Sequence, residues 1–314
     1  MKSISHILFF VAVLLFASCN RQTKSYPDTP TSGVITISGD ETFAPVLDQE
    51  IDIFEFQYPD AHVIPIYTDE VEAINLLLTD SVRMTVATRD LTEQEKNSLL
   101  QSKKLIARSV HIATDGVALI INKSNTDTLL TVGQLKDILT GKITSWKELD
   151  PKSKLKELSL VFDNKNSSTV RFAIDSICKG EPLAAKNIFA QGSNEKVIDY
   201  VAETPGAIGV IGASWIGNKS DSTNMTFSDR VRVVGLSRDE FANSANSYKP
   251  YQAYIAQGLY PLTRDIYMIN TSSRVGLVRA FSAFTSSHKG QQIILKSGMM
   301  PATQYVRIVS VKDE

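Results

Sequence analysis

Three short segments rich in hydroxyl and charged side chains mark the places where this chain could bind an anion. They are Ser-Gly-Asp-Glu-Thr-Phe at 38–43, Ala-Thr-Arg-Asp-Leu at 87–91 and Asp-Asn-Lys-Asn-Ser-Ser-Thr at 163–169. Hydroxyl groups, the N–H groups at a helix start and the fork of an arginine are donors suited to an oxyanion. The candidate ligands are Thr42, Phe43, Thr88, Arg89, Ser167, Ser168 and Thr169, with Ser38, Asp163, Asn166 and Arg171 as secondary candidates.

The same segments also have a simpler explanation. Ser, Thr and Asp are ordinary N-cap residues, and each segment follows an expected strand. Arg89 and Arg171 could equally face solvent or form salt bridges. Spacing does not show whether the three segments converge, so anion binding and helix capping both stay open at this point.

A catalytic centre has less support in the sequence. The four histidines are scattered, at His6, His62, His111 and His288, and no HExxH, CxxC, GxSxG or P-loop pattern occurs. We therefore expect a binding protein and not an enzyme, with no metal and no cofactor.

Alternating strand and helix patterns must position these segments. The expected strands are Val34–Ser38, Ala61–Tyr67, Met84–Ala87, Asp115–Asn122, Leu158–Phe162, Ala207–Ile211, Val231–Leu236 and Asp265–Ile269. The expected helices are Phe43–Tyr58, Glu70–Leu78, Thr92–Leu100, Thr131–Leu139, Ser168–Cys178, Asn194–Glu203, Val275–Ser286 and Lys289–Ser297. Pro65 favours an edge position for its strand. The alternation predicts an α/β fold with mostly parallel sheets, in which ligands bind where strand ends meet helix starts.

The N-terminus has the features of an export signal. Lys2 precedes ten apolar residues, Ile7–Phe16, which are too few for a membrane span of about 20 residues. The small residues Ala17 and Ser18 then lead to Cys19, and this arrangement resembles a bacterial lipobox. An ordinary secretory signal followed by a chance cysteine is the alternative.

A lipobox would make residues 1–18 a signal peptide and Cys19 the lipidated first residue of the mature chain. The polar stretch Asn20–Gly33 contains prolines and no periodicity, so we expect residues 19–33 to tether the body to a membrane. The expected location is the bacterial cell envelope, on its periplasmic or cell-surface face.

Composition describes a body large enough for two lobes. The chain has 314 residues, of which 43% are hydrophobic and 21% charged, and its net charge is -1. This near-neutral charge gives no electrostatic reason to expect nucleic-acid binding. We expect a monomer, and we expect Cys178 to be a buried apolar side chain without a disulfide partner.

Two longer motifs carry a family resemblance. DGVALIINKSN at 115–125 and the pattern LxxILTGKITSW at 135–146 closely resemble the phosphate-binding proteins (PstS type) of bacterial ABC transporters. Supporting matches extend the resemblance to about residues 34–300. They lie at Ser38–Phe43, Ala87–Leu91, Ser167–Thr169, Gly206–Val210 and Tyr260–Arg264.

The resemblance implies a two-lobed type II periplasmic-binding-protein fold. Each lobe would be a mostly parallel sheet flanked by helices, and two crossing strands would join the lobes. Residues 34–114 and 257–314 would form lobe one, and residues 115–256 would form lobe two. The lobes would close on phosphate or a related oxyanion, and the partner would be the membrane subunits of an ABC transporter.

The resemblance also assigns roles to the candidate ligands. Thr42 through its hydroxyl and Phe43 through its N–H would hold the anion from lobe one, where Thr88 and Arg89 would add donors. Ser167–Thr169 would hold it from lobe two.

Two positions depart from the family pattern. Asp163 stands where the family commonly has an arginine, and a bare carboxylate there would repel a phosphate dianion. Arg89 or Arg171 could supply the missing positive charge. Ser168 stands where the family usually has glycine, which narrows the room for a ligand to approach the backbone.

The leading function is therefore an envelope-tethered receptor for an inorganic oxyanion, with phosphate first. One alternative keeps the fold but serves as a non-transport sensor or interaction lipoprotein with another ligand. A less favoured alternative is an enzyme that acts on phosphoesters.

Overall fold

The computed structural model describes residues 27–184, 186–218, 221 and 226–306. The predicted signal peptide, Cys19 and the first part of the tether lie outside these residues, as does most of the predicted loop 218–226. No helix in the described part has the length and apolar content needed to cross a membrane.

Twelve strands occur in the described residues. They are β1 Ser32–Asp40, β2 Asp60–Thr68, β3 Met84–Ala87, β4 Arg108–Ile121, β5 Leu129–Thr131, β6 Ser159–Phe162, β7 Ile188–Ala190, β8 Ala207–Gly212, β9 Arg232–Val233, β10 Gly235–Ser237, β11 Thr263–Asn270 and β12 Met300–Pro301. Ten of them form one sheet in the order β2-β1-β3-β11-β4-β8-β6-β7, with β9 and β12 also paired to β4, while β5 and β10 pair separately.

The α-helices of the described residues flank this sheet. They are α1 Ala44–Gln57, α2 Glu70–Leu78, α3 Glu93–Ser98, α4 Val132–Leu139, α5 Trp146–Leu149, α6 Ser168–Phe172, α7 Asn194–Glu203, α8 Gln252–Ala256, α9 Leu277–Ser286 and α10 His288–Lys296. A single turn, Glu41–Phe43, precedes α1, and wide helical turns continue α3 over Leu99–Lys103 and α6 over Ala173–Ile177.

Two groups of apolar cores divide the molecule into two lobes. The cores of lobe one draw on β1–β3, α1 and the C-terminal helices, and those of lobe two draw on β6, β8, α4 and α7. The strands β4 and β11 run antiparallel to each other and connect the lobes. Ala113 and Ile266 belong to a core of lobe one, whereas Val117 and Leu262 belong to a core of lobe two. The predicted sequence limits of the two lobes stay a prediction. The structural feature with which they can be compared is the point at which β4 and β11 pass from one core to the other.

The sheet contains both parallel and antiparallel strand pairs, because β4 and β11 pass between the two lobes. The outer pairs β1–β2, β1–β3, β6–β7 and β6–β8 are parallel, as the strand–helix alternation predicts. The pairs that involve β4 or β11 are antiparallel, because these strands pass between lobes without a crossover helix. Pro65 lies in β2 at the edge of the sheet, as expected.

One predicted strand is wrong in detail. Val231–Leu236 is two short strands, because the chain changes partners within it. β9 pairs with β4, whereas β10 pairs with β5 in the separate two-stranded sheet.

The last residues of the predicted tether contact lobe one. Asp28 accepts a hydrogen bond from the Leu277 N–H at 2.8 Å, at the start of α9. Ser32 donates through its hydroxyl to the Pro27 carbonyl at 2.9 Å and already belongs to β1. Residues 27–33 are therefore attached to lobe one, because the free N–H groups of a helix start bind a carboxylate from another segment.

Glu50 is a buried carboxyl group within the core of lobe one. It is 1% exposed and lines a small apolar cavity of about 10 Å³ together with Phe43 and Ile294. Neither oxygen makes a hydrogen bond of regular geometry among the described residues. Burial raises the pKa of Glu50 to about 8, and the nearby Thr285 hydroxyl offsets this only in part. Folding therefore favours the protonated form.

This burial predicts a pH dependence of stability. Between about pH 4.5 and 8 the folded chain keeps a proton that the unfolded chain releases, so the free energy of unfolding falls as the pH rises, by several kcal/mol over this range. The Glu50→Gln variant should lack this decrease. Urea unfolding at pH 5 and pH 9 measures it, with the exposed Glu93→Gln as control. Equal pH slopes for wild type and Glu50→Gln would contradict the assignment.

Candidate functional site

Asp40 lies at the centre of the contact between the lobes. It ends β1, and its side chain is fully buried. One carboxylate oxygen accepts the Thr42 N–H at 2.8 Å, and the other accepts the Ser168 N–H at 3.0 Å. Thr42 belongs to lobe one, and Ser168 is the first residue of α6 in lobe two. We call the space between these two N–H groups the anion seat, and in this structure the Asp40 carboxylate occupies it.

The lobes approach each other closely beside the seat. The Trp215 indole N–H donates to the Thr42 carbonyl at 2.8 Å. A Cβ atom on Gly212, at the end of β8, would lie 2.5 Å from the Thr42 side chain. Glycine permits this close approach of the lobes, because a Cβ atom here would require the Thr42 side chain or its surroundings to move.

Arg264 of β11 brings a buried positive charge to the seat. Its guanidinium donates to Asp115 at 3.0 Å and to the Ser168 hydroxyl at 2.7 Å, and it lies 5.1 Å from the centroid of the Phe43 ring. Burial raises the pKa of Asp40 above its usual value and Asp163 raises it further, while Arg264 and the hydrogen-bond donors offset this only in part. The seat thus binds a carboxyl group through backbone N–H groups, with one cation nearby.

The third segment lies at the lobe-two side of the seat. Ser167 caps α6, and its hydroxyl is 2.8 Å from that of Thr169. Thr169 donates to Asp163 at 2.7 Å, and Asp163 is 2% exposed. These hydroxyls therefore cap the helix and bind a carboxylate in this conformation. Within the described part of the chain, no group of three His, Cys, Asp or Glu side chains is arranged to hold a metal ion.

Glu70 forms a second bridge between the lobes. Its carboxylate accepts the N–H and the hydroxyl of Thr88, at 2.7 and 2.6 Å, and two donors of Arg171. Burial would raise the pKa of Glu70, but Arg171 and Thr88 hold it below its usual value. Thr88 and Arg171, both predicted site residues, are thus brought together by a carboxylate.

Glu41 forms the third bridge. Its carboxylate accepts the backbone N–H of Asn194 at 3.2 Å, at the first residue of α7, and the side-chain amide of the same residue. Asp40 and Glu41 of lobe one therefore bind at the N-termini of two lobe-two helices, and Glu70 pairs with Arg171 in the first turns of α6. Helix N-termini favour negative charge, so these contacts hold the lobes in a closed arrangement.

Three predicted site residues lie outside the cluster of side chains that joins the two lobes. The two terminal nitrogens of Arg89 each donate a hydrogen bond to the Glu95 carboxylate at 2.8 Å. A role of Arg89 in anion binding stays a prediction. Ser38 donates to the Ala73 carbonyl at 2.8 Å inside lobe one. Asn166 is exposed on the loop before α6.

The sequence reasoning missed several residues that form the cluster. Arg264 lies in a family-like motif, but nothing marked it as the buried cation. Asp40 and Glu41 lie in the first segment, but an acidic side chain carries no sequence signal for a place in an anion site. The remaining residues are Glu70, Asp115, Asn194, Gly212 and Trp215.

The Glu70–Arg171 pair gives a stability prediction. The Glu70 side chain is 2% exposed, so Arg171→Ala leaves a buried carboxylate without its main partner. We expect the free energy of unfolding to fall by about 2–3 kcal/mol. Arg89→Ala breaks the half-buried pair with Glu95 and should cost about 1 kcal/mol or less. Urea unfolding of both variants measures the difference, and equal losses would contradict the importance of the bridge.

Known proteins share this architecture. The chain is 26% identical over 319 aligned positions to the phosphate-binding protein PstS of Bacillus subtilis. This alignment covers 96% of this chain and 94% of that protein. It is 23% identical over 260 positions to PstS of Staphylococcus aureus, covering 82% of this chain and 74% of the relative.

Solved structures show the same fold. A substrate-binding protein with bound phosphate from Clostridium perfringens superposes with a TM-score of 0.71 at 24% identity, covering 86% of this chain and 100% of that chain. An ABC-type phosphate transport receptor from Vibrio cholerae superposes with a TM-score of 0.63 at 23% identity, with the same coverage. A family model described as the PBP superfamily domain matches residues 24–289. The two-lobed α/β chain therefore belongs to the PBP superfamily.

Proposed function

We propose that this protein is an exported, lipid-anchored receptor that captures an inorganic oxyanion, with phosphate first, between its two lobes. It would deliver the anion to the membrane subunits of an ABC transporter, and it would break no bond. We propose a monomer as the working unit.

One observation carries this proposal. The anion seat already holds an oxyanion, the Asp40 carboxylate, through one backbone N–H from each lobe at 2.8 and 3.0 Å. A ligand that fits these donors must present at least two acceptor oxygens on one centre, as phosphate does. The relatives named as phosphate-binding proteins support the same ligand.

The surrounding residues fit the roles that we assign to them. The Thr42 hydroxyl is buried at the seat, where it helps to lower the pKa of Asp40, yet it makes no hydrogen bond of regular geometry among the described residues. Thr42 would donate from lobe one, and the hydroxyls of Ser168 and Thr169 from lobe two. Arg264 would supply the charge expected from an arginine at position 163, because it already reaches Ser168.

Opening and closing about β4 and β11 would admit the ligand. The seat is buried in this structure, so an anion can enter only when the lobes separate. The lobes are joined by two strands and by side-chain contacts, and such an arrangement permits hinge motion.

Calorimetry tests the ligand. We expect phosphate to release or absorb heat on binding to the full chain, with sulfate, molybdate and arsenate as comparison anions. Thr42→Val should weaken phosphate binding about 5- to 15-fold, the scale of one neutral hydrogen bond. Thr271→Val is the matched control, because Thr271 is also buried, its hydroxyl has no hydrogen-bond partner among the described residues, and it lies outside the seat.

The outcomes separate the alternative functions. Absence of heat with all four anions would contradict oxyanion capture and favour the sensor or interaction role. Turnover of a phosphoester that disappears in Thr42→Val would instead favour an enzyme. Equal losses in the two threonine variants would remove Thr42 from the site.

The lipid anchor has its own test. We expect a labelled fatty acid to be incorporated into the chain in bacterial cells, and Cys19→Ser to abolish it because the thiol is the acceptor. Cys178→Ser is the control, since Cys178 is buried in lobe two. Labelling that survives Cys19→Ser would contradict the anchor.

A further inference from the structure

We propose that the Asp40 carboxylate is a tethered occupant of the anion seat, which latches the lobes closed without ligand and which an oxyanion must displace in order to bind. The displacement part rests on the proposed function, whereas the latch does not.

N-capping of the helical turn Glu41–Phe43 accounts for only one of the two hydrogen bonds that the Asp40 carboxylate accepts. An aspartate before a helical turn commonly accepts the N–H two residues ahead, and the bond from Thr42 is of this kind. The bond from the Ser168 N–H is different, because it joins residues 128 positions apart across the two lobes. One side chain thus uses the two backbone donors that a ligand between the lobes would need.

Charge makes simultaneous binding of Asp40 and a phosphate dianion unfavourable. The carboxyl groups of Asp40, Asp115 and Asp163 are all buried here, and Arg264 is the cation beside Asp40 and Asp115. A dianion added to this group would raise the excess of negative charge in a site without water screening. Removal of Asp40 from the seat reduces that excess and frees both N–H groups.

Geometry supports the same conclusion. Asp40, Ser168 and Thr42 are fully buried, and the Cβ position of Gly212 lies 2.5 Å from Thr42. No space for a second oxyanion remains between the donors while Asp40 is in place. The carboxylate can leave only when the lobes part, so its release and lobe opening are one event.

A tethered competitor lowers the apparent affinity for the ligand. Only the fraction of molecules with a vacant seat can bind, and the apparent dissociation constant rises in inverse proportion to this fraction. Competition from Asp40 therefore sets the anion concentration at which the receptor becomes saturated.

The experiment compares Asp40→Asn with wild type and with Asp229→Asn. The side-chain oxygen of asparagine can still accept the Thr42 N–H, but its NH2 group is a donor and cannot accept the Ser168 N–H. Asp229 is an exposed acid, so its variant controls for the lost charge. Two quantities are measured on the full chain: phosphate affinity by calorimetry, and hydrogen–deuterium exchange of the peptide 163–172 without phosphate.

We expect Asp40→Asn to bind phosphate about tenfold or more tightly than wild type, and its 163–172 peptide to exchange about tenfold faster. Asp229→Asn should match wild type in both. Unchanged or weaker phosphate binding together with unchanged exchange would overturn the proposal. If no form binds phosphate, the proposed function and the displacement both fail, and the exchange result alone decides whether Asp40 latches the lobes.

A second variant breaks the same contact from the other side. Ser168→Pro removes the N–H that donates to Asp40 together with the hydroxyl that accepts from Arg264, and proline is well tolerated at the first position of a helix. Ser167 already has the extended backbone that precedes a proline, with φ −73° and ψ 162°. This variant should also speed exchange of the remaining amides of 163–172. Unchanged exchange in a folded Ser168→Pro protein would overturn the latch.

Discussion

The binding of lobe-one carboxylates to the first turns of lobe-two helices is the interaction on which the closed structure depends. Asp40 meets the start of α6, Glu41 meets the start of α7, and Glu70 meets Arg171 one turn into α6. Each carboxylate is removed from water, which is costly unless donors replace the lost solvent. The helix N–H groups and Arg171 supply these donors only when the lobes are together, so closure and charge satisfaction are coupled.

The buried charges also bear on the departure from the family pattern at Asp163. With Asp163 in place of the usual arginine, the lobe-two side of the seat becomes acidic. The cation instead comes from Arg264 on the crossing strand β11, which contacts Asp115 and the Ser168 hydroxyl. Positive charge is thereby held on a strand that passes between the lobes, and the backbone N–H groups of Thr42 and Ser168 are the donors of the seat.

The fold was largely predictable from the sequence, whereas the site was predictable only in part. Regular periodicity depends on neighbouring residues, and the predicted helices Glu70–Leu78 and Asn194–Glu203 match α2 and α7 to the residue. The capping box at Thr92 and Glu95 is equally local, and it marks the start of α3. The split of Val231–Leu236 depends on a distant partner strand and left no local signal. Among the site residues, Thr88 and Arg171 do meet, both directly and through Glu70, which lies 101 positions from Arg171 in the chain. Contacts between lobes are long-range, and no local spacing encodes them.

A crystal structure of the full chain grown with saturating phosphate tests the central claim most directly. The account predicts phosphate between the Thr42 N–H and the Ser168 N–H, with the Asp40 side chain rotated out of the seat and no longer bound to Ser168. Phosphate bound elsewhere, or a seat without phosphate in which Asp40 still accepts the Ser168 N–H at saturating phosphate, would contradict it.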